Sequence, residues 1–177
     1  MSPFSSEEFA RRVIRNVQIL VIALAAGPIV FAGIAVTQRS NQTLQHGSLL
    51  PYLAAGFGIT ALAARIFIGK STVANQRDRI AAGTWSLGSN APQANLPANM
   101  TNGDRLLFVF QQKTIIESAI VEGAAFFTII SFLITGQWWS LAVAGVLVLV
   151  NLFPFPAYDR VENWVRYQRE FMELEKR

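Results

Sequence analysis

Glu122 is the residue in this chain best placed to do chemistry. It sits in the apolar run Ile120-Val121-Glu122-Gly123-Ala124-Ala125-Phe126-Phe127. A carboxylate in such a run is costly to keep in a membrane and calls for a role. Low dielectric favours the neutral form of an unpaired carboxyl group, which suits reversible proton binding. Ser118 lies one helical turn earlier on the same face and is the expected hydrogen-bonding neighbour. Ala119 and Gly123 form an adjacent strip of small residues where another helix is expected to approach closely.

A second acidic residue, Glu117, has a different expectation. Lys113 is four residues before it, so the two share a helix face and can pair. Arg65, near the end of another apolar block, is a second candidate partner. Glu117 therefore reads as a structural ion pair.

Other chemistries find little support. The chain has no cysteine, which excludes disulfides, thiolate catalysis and cysteine metal sites. Its one histidine, His46, stands in a short polar segment without acidic neighbours and reads as an ordinary loop residue. No nucleophile–base pair and no phosphate-binding loop is evident. The expectation is a protein that is not an enzyme, with no cofactor and no metal.

The elements that must position these residues are apolar blocks. Of the 177 residues, 52% are hydrophobic and 15% charged, and the apolar ones cluster. Four blocks, about 17–36, 49–69, 106–135 and 139–155, approach or exceed the roughly 20 residues that cross a bilayer core. With no strand pattern, backbone groups must be satisfied within helices. The expected fold is an all-α membrane protein of four transmembrane helices arranged as two hairpins. Residues 1–157 form the membrane domain, with a flexible loop at about 70–104, and residues 158–177 form an amphipathic helix.

Fourteen of the fifteen basic residues fall on one side of that arrangement, and Arg39 alone falls on the other. The positive-inside rule makes the basic side cytoplasmic, with both termini inside. That distribution accounts for the net charge of +4 without nucleic acid. The expected location is a bacterial inner membrane.

Glu122 lies near the middle of its block, close to the bilayer centre. No basic residue in any block matches that depth. In the second block Ala54, Gly58 and Ala61 make a small-residue stripe, read as helix packing. Gly27-Pro28 interrupts the first block, where proline removes a helical hydrogen bond. Ala23, Gly27, Phe31 and Ile34 match Ala119, Gly123, Phe127 and Ile130 at a constant offset, with Ala26 where Glu122 would be. This suggests a parallel internal repeat.

Around the spans, Ser5 and Glu8 read as a capping box, and Phe4 with Phe9 as a hydrophobic staple, opening an uncleaved amphipathic lead-in. Residues 71–82 read as a helical continuation of the second block. The stretch Asn90 to Asn99 is rich in Asn, Pro and Ala, which cannot bury a core. Asn102 or Asp104 is the expected N-cap of the third helix. In the tail, Val161, Trp164, Val165, Phe171 and Met172 recur at helical spacing. They suggest a helix lying in the membrane interface or docking a partner.

The run from Ala119 to Ile134, with the Gly/Ala-rich Leu53-Ala54-Ala55-Gly56-Phe57-Gly58-Ile59 before it, resembles the helical hairpin of the rotary ATP synthase proteolipid, subunit c. The resemblance implies that Glu122 is an ion-binding carboxylate with Ser118 beside it, and that the connecting loop is cytoplasmic. The resulting expectation is a proton- or cation-binding subunit in a homo-oligomer or larger membrane complex. A non-catalytic assembly subunit and a small proton-coupled transporter are the alternatives.

Overall fold

A computed structural model describes residues 3–38, 49–86 and 100–175. Arg39, His46, the Asn90–Asn99 stretch, Lys176 and Arg177 lie outside the described residues. Every regular element among those described is an α-helix: α1 (Glu7–Gln38), α2 (Leu50–Ala81), α3 (Asn102–Thr135), α4 (Trp138–Leu152) and α5 (Tyr158–Glu175). The first three are long and apolar enough to cross a membrane, consistent with an integral membrane protein. The lead-in belongs to α1 and residues 71–81 belong to α2, so both run on as single helices.

The fourth apolar block is shorter than its sequence suggests. α4 has 15 residues, about 23 Å at 1.5 Å per residue. It stops two residues before Pro154, whose ring removes a donor and clashes with a preceding carbonyl. The turn joining α3 to α4 is as tight as its length predicts. Gly136 adopts φ 68°, and its N–H donates to the Phe132 carbonyl at 2.7 Å, closing α3.

The described chain groups into two compact units. The first comprises Met1–Gln18, Gly69–Thr114 and Pro156–Arg177. Its core joins Ala10, Val13 and Ile14 of α1, Val73 and Ile80 of α2, Leu106, Leu107 and Phe110 of α3, and Val161, Val165 and Met172 of α5. Phe110 meets Trp164 edge-on, with ring centroids 5.3 Å apart. The apolar face of α5 is therefore covered by protein and not by lipid headgroups. An amphipathic pattern is the same for either partner, so the interfacial expectation for this face gives way to a small helical bundle.

Capping in this unit also differs from expectation. α1 begins one residue later than the Ser5–Glu8 box requires: Ser6 is the cap, and its hydroxyl accepts the Phe9 N–H at 3.4 Å. Phe4 packs on Tyr158 and Phe9 on Phe108, so the two phenylalanines find different ring partners. At α3 the cap is Thr101, whose hydroxyl accepts the Asp104 N–H at 3.3 Å. Asp104 is fully buried and accepts from the Thr101 N–H and hydroxyl, both at 2.8 Å, and from the Ser5 N–H at 3.2 Å. It ties the start of the chain to the start of α3.

The second unit comprises Ile19–Ile68 and Ile115–Phe155. Here α3 is the hub. Half of its most apolar window is buried, against 22% for α1 and for α2. Val121, Ala124 and Ala125 pack with Ala61 of α2 and Leu147 of α4. Ile129 and Phe132 pack with Ala35 of α1 and Ala144 of α4. The outer faces of α1 and α2 remain strongly apolar, with Ile19, Ile29, Val30, Leu53, Ile59 and Phe67 all more than half exposed. A continuous face of that kind suits lipid and not water.

Candidate ion-binding site

Within the second unit α3 carries two carboxylates, Glu117 and Glu122, five residues apart, a rotation of about 140° between them on a helix of 3.6 residues per turn. They consequently face different neighbours. Glu117 faces Arg65: Oε2 lies 3.9 Å from Nε, and each side chain is only 12% exposed. Arg65 Nη1 also donates to the Val150 carbonyl at 3.1 Å. One guanidinium thus ties α2 to both α3 and α4, one turn beyond the Ala61 packing layer. Taking either partner away would leave the other ion in a low-dielectric setting, so this pair locks register. Lys113, one turn before Glu117, is half-buried and belongs to the first unit.

Glu122 faces α1. A Cβ at position 27 would stand 3.1 Å from Glu122 Oε1 and 3.3 Å from Phe126 Cζ. Gly27 is therefore the residue that leaves room for the carboxyl group. Phe126 and Phe31 close one side of the niche, their ring centroids 5.5 Å apart. Glu122 is half-buried, and among the described residues it has no ion-pair or hydrogen-bond partner.

The expected role of Ser118 is not realised. Ser118 is 2% exposed, and no hydrogen bond joins it to Glu122. Spacing alone put the two on one face, but Ser118 turns into the packed side of α3 while Glu122 lies at its margin with α1.

The small residues divide into two groups. Ala54, Gly58 and Ala61 are buried, and a Cβ at Gly58 would touch Leu147 Cδ1 at 3.4 Å. Gly58 thus faces α4, and Ala61 packs with Val121 of α3 and Leu147 of α4. Ala119 and Gly123 are exposed, and nothing lies within 4 Å of a Cβ at Gly123. The close approach expected on that strip is not made by the described residues.

Gly27 is a site residue that no sequence pattern singles out as a neighbour of Glu122. The Gly27-Pro28 pair was visible as a helix irregularity, and the offset repeat aligned Gly27 with Gly123. The structure gives these glycines different surroundings, one against a carboxylate and one open. No group of three or more His, Asp or Glu side chains that could hold a metal occurs among the described residues. No known protein family, curated protein or solved structure matches the chain.

Proposed function

We propose that this protein is a membrane subunit whose Glu122 reversibly binds a proton or a small cation. The observation that carries the reading is the placement of Glu122 Oε1 against Gly27 of α1, in a niche cleared by the absence of a side chain. An ionisable group deep in an apolar span, without a basic partner, is best explained by a working role. Glu117 is the internal contrast: it has Arg65, and its pairing accounts for its presence.

The finer topology belongs to the same proposal. α1, α2, α3 and the shorter α4 form four spans, with both termini on the cytoplasmic side of a bacterial inner membrane. A span of about 23 Å is accommodated by local bilayer thinning, at a modest cost per ångström. The basic residues of Arg11 to Arg15, Lys70 to Arg79 and Arg160 to Arg169 then share one side. The resemblance of α2 and α3 to the proteolipid hairpin supports the same role for Glu122.

One observation favours a second reading, a non-catalytic assembly subunit. The exposed Ala119–Gly123 strip offers a close-packing face to another membrane helix. A hydrophobic carbodiimide, which reacts with protonated carboxyl groups in apolar surroundings, separates the two. The ion-binding reading expects an adduct at Glu122, lost in E122Q and reduced by rising pH or by sodium. Absence of an adduct at every pH leaves the assembly reading.

A further inference from the structure

The niche that holds Glu122 contains a feature that side-chain contacts alone do not reveal. Pro28 has no N–H, so the carbonyl four residues earlier, that of Leu24, loses its helical donor. Leu24, Gly27 and Pro28 are spaced i, i+3, i+4 and share one side of α1. Glu122 Oε1 rests against that side, at Gly27. An acceptor freed in the middle of a membrane helix is costly unless something donates to it.

Resting on the proposed role of Glu122, we propose that the site takes a proton specifically, and that the protonated carboxyl group of Glu122 donates its O–H to the Leu24 carbonyl freed by Pro28. Binding and release then balance simply. The proton comes from water and returns to water, and only the O–H bond of the carboxyl group is made or broken. On release, the carboxylate loses its donor and the Leu24 carbonyl loses its partner, so proton occupancy couples directly to the packing of α1 on α3.

The surroundings favour a proton over a metal cation. A bare cation needs several oxygen ligands, whereas this niche is walled by the Phe31 and Phe126 rings and has Ser118 turned away. No other charge competes at the site. α1 has no ionisable residue between Arg15 and its end at Gln38, and α4 has none. Between Leu50 and Gly69, α2 has Tyr52, in its first turn and in contact with Trp139, and Arg65, which is engaged with Glu117.

Infrared difference spectroscopy between low and high pH, on full-length protein in lipid, tests this. The wild type should show a carboxylic-acid C=O band that E122Q lacks. In P28A the restored N–H at position 28 reclaims the Leu24 carbonyl, and the band should move to higher frequency, as for a more weakly bonded acid. G27V, which fills the niche but keeps Pro28, should produce a shift in the same direction and serves if P28A does not fold. A titrating Glu122 band at the wild-type position in either folded variant overturns the carbonyl contact while leaving ion binding by Glu122 standing. No titrating band in the wild type overturns both.

Discussion

Replacing Val161 and Val165 together with alanine probes the reassignment of α5 from a membrane-surface helix to part of a protein core. Both side chains are fully buried, against α1, α2 and α3. Each substitution removes two carbons, worth about 0.8 kcal/mol per buried CH₂, and a cavity term adds to this. About 2 kcal/mol per site, or about 4 kcal/mol for the pair, would be lost from an element that opens locally. At 1.4 kcal/mol per tenfold, protected α5 amides should exchange about 10³-fold faster where opening limits exchange. Tyr167 is 60% exposed on the opposite side, and Y167A should change exchange little, within about 0.5 kcal/mol. Hydrogen exchange with mass spectrometry, in detergent and in nanodiscs, reads both variants. Protection of α5 that persists in the double variant, or that depends on anionic lipid and on Tyr167, would refute the core assignment.

Three further outcomes follow from the same contacts. R65M should destabilise the protein by about 3 kcal/mol by removing the buried guanidinium that joins Glu117 to the Val150 carbonyl, and R65M/E117Q should recover part of it in detergent thermal unfolding; equal losses in single and double variants would contradict the pair. G58A should be tolerated, because its Cβ meets Leu147 at ordinary contact distance, whereas G58V should cost about 1–3 kcal/mol in the same assay. Tyr158 has its phenol raised above the usual 10.0, first by burial, then by the charges of Glu7, Glu162 and Asp159, with Arg11 opposing. The folded state therefore holds that proton more tightly than the unfolded chain. Stability is fully present below 10.0 and lost as pH rises through the raised value, so Y158F should flatten the alkaline limb of the unfolding curve.

The membrane character of the chain was legible because bilayer thickness imposes a length on apolar runs, and α1, α2 and α3 meet it. The Gly58 stripe was legible because small residues at helical spacing have few other uses. The length of α4 was less so: Phe153 and Phe155 extend the apolar run beyond the point where Pro154 stops the helix. Ser5 and Ser6 are adjacent, and a pattern search cannot tell which one caps α1. The docking of α5 was hidden because Val161, Val165 and Met172 would serve a lipid surface equally well. The contact between Glu122 and Gly27 depends on how α1 and α3 are registered against each other. That register is set by many weak packing contacts, Phe31 on Phe126 among them, and no local motif records it.

Ion exchange at Glu122 is the property on which the proposed role depends. Difference titration of wild type against E122Q, in lipid and without sodium, measures this directly as protons bound per chain. The wild type should take up one additional proton as pH falls. Superimposable curves would mean that Glu122 stays in one protonation state, and would contradict that role.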